Sequence, residues 1–123
     1  MDHVLFLDDS IERTKQFRSL NPSATCVETA AEAIDLLSKS VWDGVFLDHD
    51  LGGEAYVDSE LPNTGMEVVR WIVANKPFIS WIVIHTLNSD AGNRMEGALR
   101  DAGYTVIRRP FAWTRSYTGV LHF

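Results

Sequence analysis

Short apolar runs alternate with segments of helical spacing along most of the chain. The runs are rich in Val, Ile, Leu and Phe, a pattern typical of strands that are buried on both faces of a parallel sheet. We predict five strands, at residues 4–7, 25–27, 44–47, 81–84 and 105–107. The segments between them repeat their apolar side chains every three or four residues, as amphipathic helices do.

Residues that favour helix N-termini stand between the predicted strands. Thr29 and Thr64 are each followed three residues later by a glutamate, which is the spacing of a capping box. The predicted N-caps of the four helices are Asp9 or Ser10, Thr29, Thr64 and Asp90. Gly103 is the predicted C′ residue of the last helix, since glycine adopts the left-handed conformation readily. Residues 50–63 are rich in glycine and polar residues and predict a long loop.

The order of these elements predicts the fold class. Strands that alternate with helices form an α/β structure, in which right-handed crossovers place helices on both faces of a parallel sheet. The 123 residues have the length of one domain, and 46% of them are hydrophobic, enough for a core. We therefore predict a single domain over residues 1–123, with residues 111–123 left unassigned.

Ionisable residues follow four of the five predicted strands. They are Asp8-Asp9, Asp48-His49-Asp50, His85-Thr86 and Arg108-Arg109. Ligands of open α/β sheets bind outside the carboxyl ends of the strands. These four segments are therefore expected to meet at one functional edge.

Carboxylates that converge on one point repel each other unless a positive charge lies among them. Oxygen ligands favour a hard divalent cation, and we predict Mg²⁺, with Mn²⁺ as the alternative. The candidate ligands are Asp8, Asp9, Asp48 and Asp50. Arg109 supplies a second positive charge, and only one of Arg108 and Arg109 can face the site because side chains alternate along a strand. A cation beside an arginine predicts a phosphate site.

The candidate site also contains groups that transfer protons and groups that bind anions. His49 and His85 are the predicted proton carriers, because imidazole titrates near neutral pH. Asn88, Asn93 and Arg94 lie at the start of a predicted helix, where backbone N–H groups favour an anion. Each of these residues also has a structural interpretation: the acids as helix caps or turn residues, the histidines as buried hydrogen-bonding groups and the arginines as surface charges.

Several of these segments resemble response-regulator receiver domains. Residues 4–10, with Arg13 following, resemble their first strand and acidic pair, and residues 42–48 resemble the strand that carries the phosphoacceptor aspartate. Thr86 stands where receivers place a residue that contacts the phosphoryl group, and residues 109–111 stand where receivers have Lys-Pro. The resemblance implies a three-layer α/β/α doubly wound, flavodoxin-like sheet of five parallel strands in the order 2-1-3-4-5, with a last helix that is short or missing.

Other motifs of the chain resemble a divergent branch of these domains, the cyclic-phosphate-processing receiver-like family. The shared motifs are Leu-Asp-Asp at 7–9, Phe-Leu-Asp-His-Asp-Leu-Gly at 46–52, Thr-Gly at 64–65, His-x-x-Asn at 85–88 and Gly-x-x-Met at 92–95. This resemblance implies metal-dependent processing of a cyclic phosphate on a nucleotide, an RNA end or a related small molecule.

Three functions stay open from the sequence. The first is an enzyme that hydrolyses a cyclic phosphate, with Asp48, His49 and His85 as catalytic residues. The second is a signalling module in which a histidine kinase phosphorylates Asp48. The third is a pseudo-receiver that binds a protein partner without chemistry. The two histidines favour the first function over the second, because a phosphoacceptor needs no general acid.

Charge and composition narrow the possible partners. The net charge of -6 argues against bulk binding of nucleic acid. The acidic excess lies within residues 1–89, whereas residues 90–123 carry more arginines than acids. One cysteine excludes an internal disulfide and fits a reducing compartment. The longest apolar stretch is too short for a bilayer span, so we expect a cytoplasmic protein that does not bind membranes.

Overall fold

Five strands and four helices alternate in the computed structural model, which describes residues 3–109 and residue 111. The strands are β1 Val4–Leu7, β2 Thr25–Val27, β3 Trp42–Leu47, β4 Ile79–Ile84 and β5 Val106–Arg108. The helices are α1 Ile11–Leu20, α2 Ala30–Lys39, α3 Gly65–Asn75 and α4 Ser89–Asp101. All nine predicted elements are present, and β3 and β4 each begin two residues before the predicted start.

The strands form one parallel sheet in the order β2-β1-β3-β4-β5, which confirms the predicted fold class and topology. Alternate residues of the central strands point to opposite faces of the sheet and belong to two different hydrophobic cores. One core joins side chains such as Leu5 and Leu47 to helices α2, α3 and α4. The other joins Phe6 and Phe46 to Phe17 of α1. The apolar runs of the sequence are thus buried on both faces, as expected for a central parallel strand.

Four of the predicted helix ends agree with the structure, and one differs from it in detail. Thr29 forms the complete capping box with Glu32. Gly103 has a φ of +97° directly after the C-cap of α4, as predicted. The Thr64 hydroxyl caps α3.

Helix α1 is capped by Ser10, one of its two predicted caps, because the Ser10 hydroxyl accepts the Arg13 N–H. Helix α4 begins earlier than predicted, since Asn88 caps it by accepting the Ala91 N–H and Asp90 lies inside the first turn.

The prediction of a short or missing last helix concerns residues 110–123. Apart from Phe111, these residues lie outside the part of the chain that the structure describes. Phe111 packs at the edge of the core that contains Phe6. Within residues 3–109 and 111, no helix has both the length and the apolar character that a bilayer crossing requires.

Candidate functional site

The carboxyl ends of the three central strands meet in a cluster of buried ionisable side chains. Asp8 follows β1, Asp48 follows β3 and His85 follows β4, and the backbone N–H of each donates to the neighbouring strand. One ligand atom from each of the three side chains lies within 4.8 Å of the other two. Two carboxylates and an imidazole therefore share a small volume shielded from water, where charges interact strongly.

Arg13 neutralises part of this negative charge from the first turn of α1. Its Nε and Nη2 donate to the two oxygens of Asp8 at 2.8 and 2.9 Å, and its Nη2 lies 3.6 Å from Asp48 Oδ2. The Ser10 cap fixes the helix start, and the Ser10 N–H in turn donates to Asp8. Arg13 was not among the predicted site residues. Its position one turn after an acidic strand end is the signal that would have found it.

His85 is held in a fixed orientation above the first strand. Its Nε2 lies 3.0 Å from Asp8 Oδ2, and its ring stacks on Phe6 at a centroid distance of 5.0 Å. The His85 Nδ1 atom is buried and has no hydrogen-bond partner among the described residues. Buried polar atoms are usually hydrogen-bonded, so this nitrogen is a candidate to meet a ligand or a water.

The two aspartates of the cluster have opposite pKa shifts. Burial alone would raise the pKa of Asp8, but hydrogen bonds from His85 and Arg13 outweigh it and lower that pKa to about 2. Burial raises the pKa of Asp48 to about 6, and the attraction of His85 and Arg13 offsets only part of the increase. Asp8 is therefore a permanent anion, whereas Asp48 changes charge near neutral pH.

A cavity of about 650 Å³ opens at this edge of the sheet. Six of the predicted site residues line it: Asp9, Asp48, Asp50, His85, Thr86 and Asn88. Ser10, Arg13, Leu87, Phe111 and residues 53–56 complete the lining. Asp8 does not reach the cavity surface and instead supports His85 and Arg13 from below. The volume lies within the range of small-molecule sites.

Asp9 and Asp50 each use one carboxylate oxygen to hold the loop between β3 and α3. Asp9 Oδ2 accepts the Gly53 N–H at 2.6 Å. Asp50 Oδ1 accepts the Val57 N–H and lies 2.9 Å from His49 Nδ1. Burial raises the pKa of Asp50 less than these hydrogen bonds lower it. The second oxygen of each carboxylate is not used by these contacts.

His49 points away from the cavity, in contrast to its predicted catalytic role. Its buried ring joins Asp50 to the hydroxyl of Ser59, which lies 3.0 Å from His49 Nε2. Arg94 donates to the same hydroxyl and so ties the loop to α4. Consecutive side chains of an extended segment point in opposite directions, and Asp48 occupies the cavity side. His49 and Arg94 thus shape the site without lining it.

The other predicted anion-binding residues divide into two groups. Thr86 and Asn88 line the cavity, and the Thr86 hydroxyl accepts the Asn88 N–H at 3.1 Å. Asn93 and Arg109 are not among the lining residues. The Asn93 side chain accepts a hydrogen bond from Arg108, and the Arg108 guanidinium lies against α4 at Gly92. The arginine that faces the acidic cluster is therefore Arg13, not Arg109.

The fold places Asp48 by a close contact with the start of α3. A Cβ atom added at Gly65 would lie 2.0 Å from the Asp48 carbonyl oxygen and 2.9 Å from His49 Cα. The Gly65 N–H also donates to the His49 carbonyl at 3.0 Å. Only glycine permits this approach of two backbones. The Thr-Gly pair at 64–65 therefore combines a helix cap with the contact that sets the end of β3.

The fold and the acidic cluster together define a divergent receiver domain of the response-regulator type. The model of one family, described as "Cyclic-phosphate processing Receiver domain", matches residues 3–101. The chain belongs to that family. No curated protein matches it significantly.

Solved receiver structures share the fold at low sequence identity. Response regulator TrrA from Thermotoga maritima, solved with Mg²⁺-BeF, is 21% identical, with a TM-score of 0.67 and coverage of 99% of this chain and 98% of that chain. A receiver domain from Methylobacillus flagellatus is 18% identical, with a TM-score of 0.66 and coverage of 99% and 97%. A Francisella receiver domain is 15% identical, with a TM-score of 0.67 and coverage of 98% and 93%.

Proposed function

We propose that the cavity binds a cyclic phosphate on a nucleotide, an RNA end or a related small molecule and hydrolyses the ring. The observation that carries this proposal is the buried pair of Asp8 and His85 beside Asp48. A site that only accepts a phosphoryl group needs no buried proton carrier, whereas the alkoxide that leaves a cyclic ester needs an acid. The family to which the chain belongs supports the same chemistry.

The carboxylates that have spare oxygens are suited to a divalent cation. Asp8 already accepts four hydrogen bonds, from Ser10, His85 and two nitrogens of Arg13, which fills its lone pairs. Asp9, Asp48 and Asp50 line the cavity and keep oxygen lone pairs. We therefore propose that they would hold Mg²⁺ or Mn²⁺, in part through waters, since both ions prefer oxygen ligands and Mg²⁺ usually keeps several waters. The cation would offset charge on the phosphate oxygens.

His85 is the group that moves the proton in this proposal. Its Nε2 is paired with Asp8, so Nδ1 is the nitrogen left to exchange a proton with the ester. The oxygen of a water adds to phosphorus, one ring P–O bond breaks, and the departing oxygen takes the proton from His85. His85 regains a proton from the attacking water. The Asp8 carboxylate orients the ring and stabilises its charged form, which is present before the first transfer and restored by the second.

Arg13 and the start of α4 would hold the non-bridging oxygens of the phosphate. The Arg13 side chain is 38% exposed on the cavity side, and its guanidinium is held in position by Asp8. Guanidinium groups bind phosphate oxygens through paired N–H donors. The side chains of Thr86 and Asn88 line the same wall of the cavity and add polar groups. Arg13 thus takes the role that the sequence alone assigned to Arg109.

A second function is favoured by one specific observation. Asp48 and Thr86 end neighbouring strands and line the same cavity, in a receiver fold. This arrangement supports phosphorylation of Asp48 by a histidine kinase, with the same cation. Binding of a protein partner without chemistry is the third hypothesis, and it predicts neither activity.

The deciding experiment incubates the protein with a panel of cyclic phosphates in Mg²⁺ or Mn²⁺, with a chelator as the negative control. We expect metal-dependent ring opening that Asp48→Asn abolishes, while Asp35→Asn, a change at an exposed acid of α2, leaves it intact. Full activity of Asp48→Asn would remove Asp48 from the mechanism. No turnover, together with a ready acyl phosphate on Asp48 from a small phosphodonor, would establish the second function instead.

A further inference from the structure

Tyr56 lies on the rim of the cavity with its ring uncovered. It is 76% exposed, although it lines the same cavity as Asp48 and His85. None of the interactions above involves its side chain. An exposed aromatic ring beside a polar site is well placed to pack against a ligand.

The backbone of Tyr56 has a conformation that must be held in place. Its φ is +55°, a left-handed value that is unfavourable for a residue with a large side chain. Lys76 is the other described non-glycine residue with positive φ, and it is the C-cap of α3, where this conformation is usual. Tyr56 caps no helix, so its strain has no such explanation. Strain of this kind persists where the surroundings enforce it and clusters at functional sites.

The groups that enforce this conformation belong to the site. The backbone N–H groups of Tyr56 and Val57 both donate to Asp50. Asp50 is itself held by the buried His49 ring and by the Asn88 amide. This network explains why His49, which does not reach the cavity, is nevertheless buried at its edge. The network presents the Tyr56 ring towards the cavity.

The shape of the cavity indicates that the ligand is larger than a phosphate. Most of its ionisable groups lie at the strand ends and the start of α1, with Glu54 on the loop, whereas Tyr56, Leu87 and Phe111 contribute apolar surface to the lining. Leu87 is 77% exposed and Tyr56 is 76% exposed, so these two side chains lie at the mouth, whereas Phe111 packs against the core. Cavities of this volume take whole small molecules. A lipid would need a wider apolar surface than these separated side chains.

We propose that Tyr56 stacks on a flat heteroaromatic ring of the ligand, so that the substrates are nucleoside cyclic phosphates rather than cyclic phosphates of sugars or polyols. The inference rests on the proposed function, since it places the phosphate at Asp48 and His85. Stacking on a tyrosine accepts any base, because every base has a π face. Tyr56 is thus a specificity-determining residue, and the His49–Asp50 pair positions it.

Binding of two phosphate monoesters, the ring-opened products, tests this proposal without turnover. Adenosine 3′-monophosphate carries the ring and glycerol 2-phosphate does not. Calorimetric titration in Mg²⁺ compares the wild type with three variants: Tyr56→Ala and Tyr56→Gly remove the ring, and Tyr56→Phe keeps it. Phe78→Ala is the matched control, because Phe78 is an exposed aromatic residue outside this cavity.

We expect Tyr56→Ala and Tyr56→Gly to weaken adenosine 3′-monophosphate by about tenfold, the usual effect of losing one stacked base. Tyr56→Phe and Phe78→Ala should bind it like the wild type, and no variant should change glycerol 2-phosphate. Tyr56→Gly should melt no lower than the wild type, because glycine relieves the left-handed strain.

The outcomes separate this inference from the proposed function. If both monoesters bind and Tyr56→Ala changes neither, the stacking role is overturned while the phosphate site stands. An equal loss for both monoesters would also overturn it, because Tyr56 would then act on the phosphate or on the loop. If neither monoester binds the wild type, the phosphate site fails and the stacking role fails with it.

Discussion

Asp8 and Asp48 have the same side chain at equivalent strand ends, yet their surroundings give them different roles. Asp8 accepts four hydrogen bonds and keeps a pKa of about 2, so it anchors His85 and Arg13 as a fixed anion. Asp48 accepts one close backbone hydrogen bond and has a pKa of about 6. Paired groups whose pKa values are pushed apart are typical of catalytic sites.

The raised pKa of Asp48 predicts that Asp48→Asn stabilises the metal-free protein. Asp48 binds a proton more tightly when folded, so its contribution to stability is complete below pH 4 and is lost as the pH rises through 6. At pH 8 the buried charge is disfavoured, and its removal should raise the free energy of unfolding by about 1–3 kcal/mol. Denaturant unfolding in a chelator at pH 8 and pH 4.5 measures the difference, which should be clearly smaller at the lower pH. Asp35→Asn should show no such pH dependence, and equal stability of Asp48→Asn and wild type at both pH values would contradict the argument.

His85→Ala should remove activity without unfolding the protein. The proton transfer depends on the imidazole, and loss of a general acid slows catalysis by about 10²–10⁴-fold. The stability loss should be about 1–3 kcal/mol, because Phe6 loses a stacked ring and Asp8 loses one of four hydrogen bonds. Hydrolysis of the cyclic phosphate that the wild type turns over is measured together with thermal melting. His3→Ala is the control, at an exposed histidine. A collapsed melting temperature would make His85 a structural residue.

Secondary-structure elements were more predictable than the side chains at their ends. Apolar runs identified all five strands, of which β1, β3 and β4 are almost wholly buried and the edge strands β2 and β5 only in part, and capping residues located the helices. Consecutive side chains of an extended segment point to opposite sides, which is why only one of Arg108 and Arg109 was expected at the site. The same rule holds for Asp48 and His49, and it places His49 outside the cavity. The loop over residues 50–63 has no periodicity, so the hydrogen bonds of Asp50 and the conformation of Tyr56 had no signal in the sequence.

Two glycines provide a matched test of how the elements position the site. Gly65→Ala should be destabilising by several kcal/mol, because its Cβ would overlap the Asp48 carbonyl oxygen at the start of α3. Gly97→Ala should be stabilising by about 0.5–1 kcal/mol, because Gly97 lies inside α4 with no atom near the added methyl group. Denaturant unfolding of both variants checks the two signs. A tolerated Gly65→Ala would show that α3 can move away from the end of β3.

At the scale of the whole molecule, the distribution of charge differs from its expected arrangement. Arg109, from the basic C-terminal quarter, was expected to face the acidic strand ends. Instead, Arg100 and Arg108 pair with Glu96 on α4. The guanidinium at the acidic cluster is Arg13, from the acidic part of the chain. The division of the sequence into an acidic part and a basic part therefore does not predict which charges meet at the site. The fold assembles the site from β1, α1, β3 and β4.

Binding of a cation should stabilise the whole molecule, because ligands that bind only the folded state shift the unfolding equilibrium. Mg²⁺ or Mn²⁺ should raise the melting temperature of the wild type as its concentration increases, with a gain of about 3 kcal/mol at a hundred times the dissociation constant. Asp48→Asn should lose this response because it removes a central oxygen ligand, and Asp35→Asn should keep it. Without metal at pH 8, Asp48→Asn should melt at a higher temperature than the wild type, because it is then the more stable protein. A melting temperature that responds to metal equally in the wild type and in Asp48→Asn would place the cation elsewhere. When the melting temperature is plotted against metal concentration, the curves of the wild type and of Asp48→Asn should therefore cross. This crossing tests both the pKa of Asp48 and its role as a ligand in one measurement.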